Sequence, residues 1–174
     1  MKFTSKLNKD DNSDLYHWFF QVPNEVAESF IDGVNKRVVT TVNGTVKYHC
    51  AIYGDGVGGY RILLNRERCK KLGLVRGNTI SIELQKDTSE YGVPMSEELR
   101  EVLDQNPEAD ELFHKLTKGA QRTLIYWSDN VKSSDIKIRR AIVLTNHLVN
   151  QGGKPDFKLM NVEMKEANQA AKRG

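Results

Sequence analysis

The stretch that decides the fold reads "YRILLNRERCKKLGLVRGNTISIEL" and covers residues 60–84. Residues 60–64 and 80–84 alternate apolar with polar side chains, which predicts two strands. Between them lies a short basic segment that Asn65 can cap and Gly73 can end, which predicts a helix. This order leaves two interpretations open: the basic helix binds nucleic acid, or it closes a corner of a small β-barrel.

The same alternation runs through the part of the chain before this stretch. Residues 46–52 alternate apolar with polar or small side chains, which predicts a strand with one buried face. Asn43-Gly44 stands between two β-rich runs and predicts a type I′ hairpin, because that turn needs a positive φ at both central positions. Residues 16–23 are rich in aromatic side chains and predict another strand, whereas residues 1–13 are interpreted as a polar lead-in.

After residue 87 the apolar side chains recur at spacings of three and four, which predicts helices. Ser96 and Pro107 suit the starts of two of them, and Ser134 is predicted to cap the last of four. In that last helix we expect Arg139 and Arg140 to point outward. Its predicted buried stripe consists of Ile138, Ala141, Ile142, Thr145, Leu148 and Val149.

Strands followed by helices indicate an α+β arrangement instead of alternating βαβ units. We predict a small double-split β-barrel domain at residues 14–87, a helical subdomain at 93–152 and a C-terminal tail at 153–174. The tail either adds a marginal helix or frays.

Composition excludes few functional classes. The 174 residues carry a net charge of only +3, which does not by itself indicate a polyanionic partner. Cys50 and Cys69 lie outside any CxxC motif and the four histidines are scattered, so we expect reduced thiols and no metal site. The chain shows no secretory signal and no membrane span, which favours a cytoplasmic protein without membrane insertion. We also expect a monomer.

Two motifs suggest chemistry. Residues 54–59, "GDGVGG", match G-x-G-x-x-G, but a strand follows them where a dinucleotide site needs a helix, so no cofactor is predicted. No established catalytic motif is present, and we predict no catalytic residue. An acid–base pair of His49 and Asp55 remains as an enzymatic alternative.

A set of basic side chains around the predicted helix gives a nucleic-acid alternative, in which these residues contact phosphate groups. The competing interpretation is a solvated helix face. The set comprises Arg61, Arg66, Arg68, Lys70, Lys71 and Arg76.

Several segments resemble known bacterial families. "WFFQVP" at 18–23, "GTVKYHCAI" at 44–52 and residues 59–84 look like a family of unknown function with a double-split β-barrel. "VPMSEEL" at 93–99 and "VKSSDIKIRRA" at 131–141, with "LTKGAQR" and "YW" between them, resemble the helical segment of the YdeI/OmpD-associated, bacteriocin-protection family. The barrel is also similar to that of AbrB-like regulators, which build it from two chains and bind DNA. One departure is Ile136-Lys137, where the family usually has Thr-Arg.

The resemblance implies a fold more than a reaction. We expect a non-enzymatic bacterial binding protein that contacts a protein or small ligand, with a role in bacteriocin or envelope-stress tolerance. Binding of nucleic acid by an AbrB-like face is the alternative. The candidate partner contacts are Arg122, Tyr126, Trp127, Arg139 and Arg140.

Overall fold

The chain divides into two units, and the first, Met1–Thr88, contains an antiparallel sheet where the side chains alternate. The computed structural model describes residues 1–11 and 18–173; the start of the predicted barrel domain at residue 14 and of the predicted strand 16–23 lies outside these residues. The seven strands, in chain order, are β1 Lys2–Lys9, β2 Trp18–Val22, β3 Arg37–Val42, β4 Val46–Ala51, β5 Tyr53–Gly54, β6 Tyr60–Leu63 and β7 Thr79–Lys86.

The sheet has the order β4-β3-β7-β1-β2-β6-β5 and curls into a nearly closed barrel. Edge strand β4 approaches β6, the strand next to the other edge, and the Tyr48 hydroxyl of β4 donates a hydrogen bond to the carbonyl oxygen of Leu63 in β6 at 3.2 Å. Every second residue points inward, as the alternation predicts. The resulting core includes Leu7, Phe20, Val38, Val42, Ile52, Ile62, Ile80, Ile82 and Leu84, all fully buried.

Local turn chemistry forms where the sequence predicts it. Asn43 and Gly44 have φ values of 49° and 65°, so both central residues of the β3–β4 turn have the positive φ that a type I′ hairpin requires. The Asn65 side chain accepts a hydrogen bond from the backbone N–H of Arg68 at 2.9 Å and caps helix α2, Arg66–Lys71. A second short helix, α1, covers Asn24–Phe30.

The first strand differs from its expected role. Residues 1–13 are interpreted above as a polar lead-in, yet β1 lies inside the sheet and pairs with β7 on one side and β2 on the other. Phe3 and Leu7 face the barrel core while Lys2, Thr4 and Lys6 stay exposed, so the inward side is apolar at only two positions besides Ser5. With polar residues at most of its positions, β1 shows too little alternation to be predicted as a strand.

The second unit, Ser89–Gly174, contains the helices predicted from the three-to-four spacing. Ser96 caps the first by accepting a hydrogen bond from the backbone N–H of Leu99 at 3.2 Å, and Pro107 occupies the first turn of the second. Their bounds are α3 Glu97–Asp104, α4 Pro107–Lys115, α5 Lys118–Asp129, α6 Ser134–Asn150 and α7 Phe157–Ala170. The last helix, α7, lies in the predicted tail and buries Met160 and Met164.

The predicted α+β class is therefore confirmed: a curled antiparallel sheet of seven strands precedes a helical region in one chain. Across residues 1–11 and 18–173, none of the helices combines the length and the apolar composition that crossing a bilayer requires.

Candidate functional site

One side of α6 carries exposed apolar side chains. The sequence predicts Ile138, Ile142 and Val149 as part of a buried stripe, but they are 40%, 46% and 36% exposed. Because α6 packs against α3, α4, α5 and α7, its buried arc is wide and is centred on residues such as Leu144 and Leu148. The predicted stripe is thus wrong for these three residues, which face solvent; we call them the α6 strip.

A groove lies at each end of the α6 strip. The first has a volume of about 330 Å³ and is lined by Asp135, Ile138, Arg139 and Ile142. The second, of about 380 Å³, adjoins Val149. It is rich in carboxamide side chains, and its lining comprises Gln105, Asn106, Pro107, Glu108, Ala109, Asn146, Val149 and Asn150. An apolar strip between two polar-rimmed grooves has the chemistry of a surface that binds another molecule.

Most of the candidate partner contacts form bonds inside the helical unit. Arg140 is predicted to point outward, but its Nη1 donates to the carbonyl oxygen of Trp127 at 2.7 Å, and its guanidinium lies 5.5 Å from the centre of the Trp127 ring. The expectation of an outward side chain is therefore wrong for Arg140. Arg122 Nη1 donates to the carbonyl oxygen of Tyr91 at 3.3 Å, whereas the Tyr126 side chain is 65% exposed.

Helix α7 holds the other two candidate contacts. Trp127 Nε1 donates to Oδ1 of Asn161 at 3.1 Å. Arg139 Nη1 donates to Oδ1 of Asn168 at 2.8 Å and so does not simply extend into solvent as expected. Arg139 therefore belongs both to the first groove of α6 and to the contact between α6 and α7.

The basic set in the sheet unit is spread over different local environments. The Arg68 guanidinium lies 4.2 Å from the ring centre of Tyr48, and that of Arg61 lies 5.4 Å from the ring centre of Phe19. Arg76 forms an ion pair with Asp11 at 3.1 Å. The three remaining members are exposed: Arg66, Lys70 and Lys71.

The predicted pair of His49 and Asp55 is replaced by a different one. His49 Nδ1 lies 2.9 Å from Oδ2 of Asp87, whose side chain is only 1% exposed, and Arg37 Nε lies 3.9 Å from the same oxygen. This arrangement stabilises a buried carboxylate with two cationic or hydrogen-bonding partners. His49 does lie on the polar, outer side of its strand, as expected.

Asp55 has a structural role in the glycine-rich loop. Its Oδ1 accepts hydrogen bonds from the backbone N–H groups of Val57 at 3.0 Å and Gly59 at 2.8 Å, which also hold the pKa of its carboxyl group below its usual range. Strand β6 begins directly after Gly59, at Tyr60. The loop therefore joins strand β5 to strand β6. A dinucleotide-binding G-x-G-x-x-G loop leads into a helix instead, as the sequence analysis noted.

Both thiols are free, and burial raises the pKa of Cys50 to about 11 and that of Cys69 to about 11. Cys50 Sγ lies 3.1 Å from Oγ1 of Thr40 inside the barrel. Within the part of the chain that the structure describes, no group of three or more His, Cys, Asp and Glu side chains is placed to hold a metal ion.

Sequence reasoning missed two histidines that join elements of the helical unit. The fully buried His147 accepts a hydrogen bond at Nε2 from the backbone N–H of Asp156, while its Nδ1 lies 2.9 Å from Oε2 of Glu163. His114 Nε2 lies 2.9 Å from the hydroxyl of Tyr91, whose pKa is raised to about 12 by burial. Spacing alone gave no signal for either contact, because the partners lie on different elements.

Comparison with known families divides the chain as the two units do. Residues 3–84 match a family described as "Domain of unknown function (DUF1905)", and residues 93–149 match one described as "Bacteriocin-protection, YdeI or OmpD-Associated". No curated protein and no solved structure matches the chain. The chain thus carries a segment that matches DUF1905 followed by one that matches the YdeI/OmpD-associated family, which confirms the resemblance seen in the sequence. The α6 strip lies within the second matched segment, and α7 follows it.

Proposed function

We propose that the protein is a non-enzymatic, cytoplasmic binding protein that docks a protein partner on the α6 strip. The observation that carries this proposal is the exposure of Ile138, Ile142 and Val149 along one side of a helix that packs against four others. Apolar side chains exposed in line, with polar groups at their rim, are typical of protein-binding surfaces.

The dimensions of the α6 strip suit a short segment of a partner. Ile138 and Val149 are eleven positions apart, which corresponds to about 16 Å along a helix. The grooves at its two ends extend the surface to residues 135 and 150. A helix or an extended segment could place apolar side chains on the strip and polar groups in the grooves.

The family description gives a setting for this binding. It names bacteriocin protection and association with OmpD for the family that matches residues 93–149. We therefore place the docking event in bacteriocin or envelope-stress tolerance, with the protein acting by contact instead of by a reaction.

Nucleic-acid binding is the weaker alternative. Arg61 and Arg68 lie against aromatic rings and Arg76 forms a surface ion pair with Asp11, whereas a face that binds DNA through phosphate contacts gains from free cationic side chains. A salt titration of retention on mixed-sequence DNA separates the alternatives. We expect no salt-dependent retention at low ionic strength; steep salt dependence would favour a nucleic-acid interface.

The proposal is tested by a matched pair of charge substitutions in the full chain. Ile142→Glu places a carboxylate on the α6 strip, while Val162→Glu does so at an α7 position of similar exposure, 48% against 46%, that does not line either groove. We expect Ile142→Glu to abolish co-purification of the partner and bacteriocin tolerance in a complemented deletion strain, and Val162→Glu to leave both intact. Equal behaviour of the two variants would contradict docking on the α6 strip.

A further inference from the structure

The guanidinium of Arg139 has an unusual environment for a partly buried charge. It lines the first groove, and its Nη1 donates to the neutral side-chain amide of Asn168 at 2.8 Å. Among the residues that the structure describes, no carboxylate forms an ion pair with it. A carboxylate is the acceptor that matches a guanidinium best, because it can accept two parallel N–H bonds and carries the opposite charge.

The acidic residue of the same groove does not fill this role. Asp135 lies in the first turn of α6, four positions before Arg139. There its negative charge is stabilised by the positive end of the helix dipole. The groove thus holds one carboxylate and one guanidinium beside two exposed isoleucines, and the guanidinium has an amide as its internal acceptor.

From this geometry we propose that the occupant of the α6 strip is an apolar protein segment that carries a carboxylate, and that this carboxylate replaces Asn168 as the acceptor of Arg139. The inference rests on the proposed function and specifies the chemistry of its partner. The apolar side chains of the segment cover Ile138 and Ile142, and its acidic side chain enters the groove.

The proposal assigns Asn168 a definite role as an internal competitor. An amide oxygen accepts one hydrogen bond from the guanidinium without neutralising its charge, so a carboxylate can displace it. It follows that changes at this one position should act in opposite directions. A carboxylate at 168 should block the incoming acidic group, whereas removing the amide should free Arg139 for it.

The test uses the full chain and two defined probes, the blocked peptides LIAEL and LIAQL, which differ only in charge. Binding is followed by NMR shifts of the Ile138 and Ile142 methyl groups and of the Arg139 guanidinium. We expect the glutamate peptide to bind about three- to fivefold more tightly than the glutamine peptide, as for a partly solvated ion pair. Asn168→Asp should lower the affinity for the glutamate peptide, and Asn168→Ala should raise it.

Asn161→Ala is the matched control, because it removes the amide that α7 supplies to Trp127 and leaves Arg139 untouched. It should not change the ratio of the two affinities, and circular dichroism should show that every variant is folded. Equal binding of both peptides, or no effect of Asn168→Asp, would overturn the inference while leaving docking on the strip intact. Failure of both peptides to shift the groove signals would also overturn it, and the paired Ile142 and Val162 variants would then decide the docking proposal separately.

Discussion

The two units of the chain differ in where they leave large apolar side chains exposed. In the sheet unit these side chains stand at isolated positions outside the barrel core, such as Val34, Val57 and Val75. In the helical unit α6 has three on one side, Ile138, Ile142 and Val149, whereas α7 has only Leu159 and Val162 among its described residues. Single exposed apolar residues are normal on any protein, whereas an aligned group indicates a surface made for contact.

In our proposal, the helical unit carries the binding function because of this difference. The barrel buries most of its apolar side chains in its own core, because each strand has one face inside and one outside. The helical unit packs most of α6 and leaves exposed a side on which Ile138, Ile142 and Val149 stand beside polar residues such as Asn146. The following predictions test that contrast, beginning with the largest effect.

The buried and exposed apolar residues of the helical unit should respond very differently to truncation. Phe113 is fully buried, so Phe113→Ala should lower the free energy of unfolding by about 3–5 kcal/mol through lost burial and a cavity. Ile142→Ala should have a much smaller effect, about 1 kcal/mol or less, because nearly half of the residue's surface is already in solvent. Urea denaturation measures both, with each unit followed by its own probe.

A large destabilisation by Ile142→Ala would break the contrast, since it would mean that the α6 strip belongs to the core. Phe20→Ala serves as the control in the sheet unit, where it should also cost about 3–5 kcal/mol.

His147 should matter for stability despite its absence from any predicted site. His147→Ala removes the acceptor of the Asp156 N–H and the partner of Glu163, so we expect a loss of about 1–3 kcal/mol from unsatisfied polar groups, plus a cavity contribution. Hydrogen exchange should show faster opening of α7 than of α3. His147→Gln, which can keep one of the two bonds, should lose less; an equal loss would show that packing alone matters.

The reactivity of the Cys50 thiol measures how well the barrel shields its interior from solvent. Burial raises the pKa of Cys50 from its ordinary value of 9.0 to about 11, so the native thiol stays neutral at pH 8 and should react with iodoacetamide about a hundredfold more slowly than the unfolded chain. Because the folded pKa is higher than the unfolded one, the contribution of the neutral Cys50 thiol to the free energy of unfolding is fully present below pH 9.0. It is lost as the pH rises towards about 11. Fast labelling at pH 8 would show an open barrel.

Ser128→Ala should have the smallest effect. Its Oγ is fully buried and has no hydrogen-bond partner among the described residues, so removing the hydroxyl should be neutral or slightly stabilising, within about 0.5 kcal/mol. Thermal unfolding measures this change. A clear loss of stability would reveal a bond to an internal water molecule.

Local chemistry was the predictable part of this molecule. The Asn43-Gly44 turn, the Asn65 and Ser96 caps and the position of Pro107 depend on a few neighbouring residues, and each forms as expected. In β4, β6 and β7 the two-residue rhythm also assigned the inner face correctly, because a strand offers only two faces.

Long-range contacts escaped prediction for a physical reason. Asp87 reaches His49 from 38 residues away, across a sheet whose strand order the sequence does not reveal. The exposed side of α6 depends on how many helices surround it, and a stripe of apolar residues looks the same whether it faces the core or a partner. The sequence therefore offered candidate contacts on α5 and α6 but not the exposure of Ile138, Ile142 and Val149.

The most direct test of the account replaces Ile142 and, separately, Val162 with a photo-crosslinking amino acid in the full chain inside its own cells. Because the two positions are similarly exposed, random collisions should label both equally. We predict a discrete crosslinked protein adduct from position 142 that is lost when Ile138→Glu is added, and none from position 162. Equal labelling from both positions, or none from position 142 under bacteriocin challenge, would contradict a docking surface on α6.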